Sequence, residues 1–176
     1  IDGAVPELVF ERWTDELPNM KKLMTEGAYA RMTSAVPPLT IIAWNSMLSG
    51  KDPSELGIFS YTYKDASGKS RIVDSHKLQS QVVWDYLDAV GKKSVALYVP
   101  LTYPVKKING SMVSGFLTPG VSSDCAYPSA LKEKILQMED PELFFDVAVG
   151  LANHKALDSA TLVKNTYTMT KMQLGL

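Results

Sequence analysis

Few residues in this chain have types and spacing that could do chemistry. Ser49-Gly50-Lys51-Asp52 and Gly91-Lys92-Lys93-Ser94 offer glycine and lysine together, as a phosphate-cradling loop would. That loop needs a further glycine five residues before its Gly-Lys pair, where Asn45 and Tyr86 stand, so both segments read as turns. His76 and His154 are the only histidines and have no partner at metal-ligand spacing. Cys125, the only cysteine, lies in a loop rich in Pro, Gly and Ser, with no histidine nearby in sequence to activate a thiolate. Asp2-Gly3 taken alone is a turn pair, and Thr40, which follows Pro37-Pro38-Leu39, taken alone is a helix cap.

The elements that must hold these residues follow from apolar periodicity and turn residues. Helical spacing covers Pro6 to Trp13 and Leu17 to Glu26, the second with Leu17, Met20, Leu23 and Met24 on one face and Gly27 as its stop. Ala28 to Thr33 reads as a short strand, and Pro37-Pro38 imposes an extended approach to a helix from about Ile41 to Leu48 that Gly50 closes. Gly57 to Tyr63 reads as strand or extended loop, followed by a turn at Ser67-Gly68. A stripe of Leu78, Val82, Val83, Tyr86, Leu87 and Val90 predicts a helix ending at Gly91, and the β-branched run Ser94 to Val99 predicts a strand. Ser111 to Phe116 and Leu143 to Val149 are further strand candidates, Pro119 to Pro128 is a loop, and helices are predicted near Ser129 to Met138 and Ala156 to Leu174. This alternation implies an α/β fold whose sheet contains parallel strands with helices on both faces, and sites in such folds sit in the loops after the strands.

Composition bounds the rest. At 176 residues, 45% hydrophobic and 21% charged, the chain has the make-up of one globular domain. Its 18 Lys and Arg against 19 Asp and Glu leave a formal net charge of -1, which marks no nucleic-acid or anionic-membrane surface. A single cysteine permits no internal disulfide, and there is no apolar run of membrane-spanning length and no signal-peptide pattern, so the expected location is cytoplasmic. The start at Ile1 rather than Met, and an amphipathic stretch from Thr166 to Leu176 with no closing turn, read as a piece of a longer chain.

One constellation spans the candidates. Thr40 stands ten residues before Gly50 in the Ser49-Gly50 pair, with Pro53 and Gly57-Ile58 following. Upstream lie Asp2-Gly3, Leu17-Pro18, Leu23 and Gly27-Ala28, and downstream Pro100, Thr102-Tyr103-Pro104, Asn109-Gly110, Ser114-Gly115-Phe116 and Pro119. This order resembles the nucleophile region of the type I phosphodiesterase and nucleotide pyrophosphatase family, within the alkaline phosphatase superfamily, over the first two thirds of the chain. The resemblance implies that residues 1–176 are the N-terminal part of one alkaline phosphatase-like catalytic domain. It also implies a hydrolase of phosphodiester or nucleotide pyrophosphate bonds acting on small phosphorylated substrates. In it Thr40 is the nucleophile and a metal ligand, Asp2 is a metal ligand, and the cofactors are two divalent ions, zinc or else manganese.

That assignment suits the chemistry. A threonine hydroxyl ionises far above neutral pH and needs a metal or base beside it, while a helix N-terminus offers amides, here those of Ile41 and Ile42, to a phosphate oxygen. Asn45 and Tyr103 are placed as further substrate contacts. Two departures stand out: Leu56 occupies the place where many relatives have histidine, and the relatives' downstream Asp-x-x-x-His and Asp-His-Gly ligand segments are absent. Other superfamily activities, phosphoglycerate mutase or phosphomonoesterase, and an inactive piece or binding module, are the competing readings.

Overall fold

In a computed structural model of the chain, residues 3–138, 141 and 158–175 are described. Contacts group the chain into two units, Ile1–Ser34 and Ala35–Leu176. The predicted strand at Leu143 to Val149 lies outside the described residues.

In the first unit a π-helical turn, Glu7–Arg12, and a 3-10 turn, Thr14–Glu16, lead into helix α1, Pro18–Glu26. Proline at the first helical position costs nothing, because that amide has no acceptor within the helix. Phe10 and Tyr29 stack with ring centres 5.9 Å apart, and Lys21 pairs with Asp15 at 2.6 Å. No described residue of this unit is buried, and Leu23, placed on the apolar face by its spacing, is 67% exposed. Ala28 to Thr33 forms no strand. An isolated extended segment leaves its backbone groups without a ladder, and no neighbouring strand pairs with this one among the described residues.

The second unit is built on two parallel strands. Helix α2, Thr40–Ser49, ends at Gly50 in the left-handed conformation (φ 69°) that glycine adopts without a Cβ penalty. Helix α3, Pro53–Leu56, is a single turn held by a capping box between Asp52 and Glu55. Strands β1, Thr62–Lys64, and β2, Ser70–Ile72, pair antiparallel. The Asp65 carboxylate organises their turn by accepting from Ser67 N (2.9 Å), Ser67 Oγ (2.6 Å), Lys69 N (3.1 Å) and Arg71 Nε (2.9 Å).

Helix α4, Val83–Ala89, starts later than its stripe suggests, because Val82 is extended (φ -120°, ψ 170°). That offset changes which side chains point inward. Val82 and Trp84 are buried, while Val83, Tyr86, Leu87 and Val90 lie exposed.

Strand β3, Ser94–Val99, pairs parallel with β4, Gly110–Ser114, and β4 pairs antiparallel with β5, Ala126–Tyr127. The strands touch most closely at the two ends of β4. A Cβ on Gly110 would lie 1.9 Å from Ser94 O, and one on Gly115 would lie 2.3 Å from Tyr98 O. Helices α5, Ser129–Leu136, and α6, Ser159–Leu174, complete the unit, the latter capped by the Asp158 side chain.

Strand alternation divides the core. Met112 and Ala96 face a cluster with Val82, Trp84 and Ile108, whereas the adjacent Val113 faces Val121 and Ile135, with Leu131 and Met172 packed alongside. Helices therefore cover both faces of the parallel pair, α4 on one and α5 with α6 on the other, as the α/β alternation predicts. A third cluster joins Ile41, Ile42, Leu56, Ile58, Val73 and Leu101, and seats α2 beside the end of β3.

Candidate active site

Thr40 is the first helical residue of α2 and is partly buried. The cap position is Leu39, extended at φ -102° and ψ 141°, whose carbonyl accepts from Ile42 N (3.0 Å) and Ala43 N (2.9 Å). The place at which a threonine would spend its hydroxyl as N-cap is thus held by a residue with no side-chain acceptor. The flanking side chains set the orientation of the turn. Ile41 and Ile42 are wholly buried and Leu39 packs on the same cluster.

First-turn amides of a helix have no intrahelical acceptor. Ile42 nevertheless donates to Leu39 O, so it is not available to a phosphate oxygen as its position in sequence suggests. Ile41 has no acceptor for its amide among the described residues.

Asn45 lies one turn further on and is 1% exposed. Its Nδ2 donates to Ile41 O (2.7 Å) and reaches Pro100 O (3.5 Å). Both groups it serves are backbone carbonyls of buried residues.

Tyr103 lies in the loop after β3, where its carbonyl accepts from Ser75 N (2.7 Å). It lines a cavity of about 150 Å³ with Val73, Asp74, Leu101, Phe116 and Leu117 among its walls. Thr40, Ile41 and Asn45 are not part of that lining. Leu101 (φ 65°) and Leu117 (φ 76°) both hold left-handed backbone, a conformation that costs a branched residue energy and that surrounding contacts must enforce.

Hydroxyls of the Thr102-Tyr103-Pro104 and Ser114-Gly115-Phe116 segments, with that of Thr118, tie the strand ends together. Thr102 Oγ1 donates to Val99 O (2.6 Å) and accepts from Gly115 N (3.2 Å). Ser114 Oγ donates to Cys125 O (3.1 Å) and lies 2.7 Å from Thr118 Oγ1. In sequence Thr102 and Ser114 stand in segments that carry the family resemblance, but nothing in their spacing signals these bonds.

Gly50 and Gly91 close helical turns, and Lys51 pairs with Glu55 at 3.1 Å rather than facing a phosphate-binding loop. His76 is largely exposed, 3.4 Å from Asp74. Cys125 is fully buried, and burial pushes its thiol up, with Lys132 opposing only in part. Asp2 and His154 lie outside the described residues. No group of three or more His, Cys, Asp or Glu side chains among the described residues could hold a metal ion, so those residues do not make up a two-metal centre. No described helix is long and apolar enough to cross a membrane.

The sequence model of the type I phosphodiesterase / nucleotide pyrophosphatase family matches residues 1–166. No curated protein and no solved structure matches the chain.

Proposed function

The chain belongs to the type I phosphodiesterase / nucleotide pyrophosphatase family, whose activity is hydrolysis of phosphodiester or pyrophosphate bonds in small phosphorylated molecules, and from that premise we propose that Thr40 is its nucleophile. The observation that carries this reading is the seat of Thr40 at the head of α2. It lies inside the family match and one residue past the cap position.

Thr40 Oγ attacks phosphorus, the bond from phosphorus to the leaving oxygen breaks, and the displaced alcohol or phosphate departs with a proton. The enzyme is left as a phosphothreonine ester. Water then attacks that phosphorus, and cleavage of the P–Oγ bond returns the hydroxyl and releases a phosphomonoester. Little covalent assistance is needed at phosphorus, so positioning and charge compensation carry most of the rate. The Ile41 amide, at the positive end of the α2 dipole, serves a non-bridging oxygen. Tyr103 faces the substrate from the loop after β3.

The family is metal-dependent in general. Two divalent ions, zinc or manganese, with Thr40 and Asp2 among their ligands, are part of this reading, and the chemistry they supply is activation of the hydroxyl and compensation of charge. The described residues do not assemble such a centre. No step above is therefore assigned to it.

The test is turnover of bis(p-nitrophenyl) phosphate and of p-nitrophenyl phosphate by the full-length protein and its Thr40→Ala variant, with and without a chelator. The diester is expected to be cleaved faster, and Thr40→Ala and the chelator should each remove the activity. Undiminished turnover by Thr40→Ala would refute the nucleophile, and faster turnover of the monoester would favour a phosphomonoesterase.

A further inference from the structure

A fully buried amide is an expensive choice for the inner face of a helix whose neighbouring inward residues are isoleucines. Left unbonded it is strongly destabilising, and even bonded it gains little over an apolar residue of the same shape. Asn45 occupies such a place at 1% exposure, beside Ile41 and Ile42.

Its bonds indicate what it does. Nδ2 donates to Ile41 O at 2.7 Å, the carbonyl of the residue next to Thr40, and reaches Pro100 O at 3.5 Å, the first residue past β3. Beyond Pro100, Leu101 packs against Ile41 and Ile42, and Thr102 accepts from Gly115 at the end of β4. A polar thread thus runs from the first turn of α2 to the ends of both parallel strands.

The apolar contacts in this region bury Ile41 and Ile42 and set the coarse orientation of α2, but being non-directional they define small rotations about the helix axis less sharply than a directional bond does. A hydroxyl about 4 Å from the axis moves by roughly 1 Å when the helix turns by about 15°. A hydrogen bond from one side of the helix to a fixed carbonyl opposes that turn directly. We propose that Asn45 is a positioning residue that fixes the rotation of α2, and with it the aim of the Thr40 hydroxyl, by fastening the helix to Pro100. The inference rests on the reading of Thr40 as nucleophile.

Asn45→Leu removes the amide at similar volume, and Asn45→Ser keeps a group able to bond within the helix but too short to reach Pro100. Each is assayed on bis(p-nitrophenyl) phosphate well below its own melting temperature, so that kcat is read on folded protein. Both variants should lose about ten- to a hundredfold in kcat, the scale of a 1 Å misplacement, with KM within about twofold of the parent. A residue that only supports the core would lower the melting temperature and leave kcat per folded molecule unchanged. Parental kcat in either folded variant overturns the positioning role, and Asn45→Ser decides the matter should Asn45→Leu not fold. Activity retained in Thr40→Ala is a separate outcome: it overturns the nucleophile, and the positioning role with it. Loss in Thr40→Ala beside parental kcat in the Asn45 variants overturns the positioning role alone.

Discussion

Replacing Gly115 by alanine should damage this fold more than its single added carbon suggests. The new Cβ would lie 2.3 Å from Tyr98 O, 2.5 Å from Tyr98 C and 2.5 Å from Val99 O. Carbon and oxygen in ordinary contact stay at least 3.0 Å apart, so β3 and β4 must separate by roughly 0.7 Å at that end. The obstacle is main chain, which cannot swing aside as a long side chain would.

Overpacking of this kind costs about 1–3 kcal/mol. The same displacement stretches the 3.2 Å bond from Gly115 N to Thr102 Oγ1, worth about another 1 kcal/mol. Gly50→Ala is the matched control. Gly50 is left-handed at φ 69° with nothing within 4 Å of its virtual Cβ, so it should cost only conformational strain, about 1–2 kcal/mol. Urea unfolding followed by far-UV circular dichroism gives both values, provided the two variants share the parental m-value. Gly115→Ala as stable as the parent, or harmed less than Gly50→Ala, would refute the argument from strand contact.

Two further outcomes concern ionisable groups. Cys125 should resist iodoacetamide in the native protein near pH 8 and react once urea unfolds it, because burial both shields the thiol and disfavours the thiolate; native-state alkylation at the rate of a free thiol would contradict its position. The Asp65 carboxyl is pulled down to about 2, first by the Ser67 hydroxyl and then by Arg71. Its folded value lies below its unfolded one, so its contribution is complete above the ordinary carboxylate range and fades as pH falls from about 4 through about 2. A carboxyl-carbon NMR titration should place its midpoint near 2; a midpoint near the ordinary value would show that the turn bonds are not kept in solution.

Where local chemistry decides structure, the sequence was a sound guide. Gly50 ends α2, Ser67-Gly68 makes the hairpin turn, and the β-branched run from Ser94 to Val99 is β3. The Asp52-Pro53-Ser54-Glu55 capping box of α3 is also legible, since its cap and its reciprocal glutamate stand at the required spacing. Other features depend on partners remote in sequence. Ala28 to Thr33 has strand-like residues and no strand to pair with among the described residues, and β5 is two residues long because only Met112 and Val113 meet it.

The site divides in the same way. The register of Thr40 with Gly50, Pro53 and Gly57-Ile58 can be read along the chain. That Ile42 spends its amide on Leu39 is settled by the local geometry of the helix start, and that Asn45 turns inward to Pro100 by geometry across 55 positions of sequence; neither leaves a mark on spacing.

Tyr98 bears on how this chain is compared with others. Leu97 pairs with Val113 and Val99 with Ser114, so Tyr98 is a supernumerary residue in β3, held at φ 59°. Because of it, Ala96 and Val99 face the same cluster although three positions separate them, and the inside-outside parity of the strand reverses at its end. A relative built without that extra residue would match β3 in phase only as far as Leu97. Past it, an ungapped alignment would set core against surface, and would carry the Pro100 to Pro104 loop one position out of step with its true equivalents.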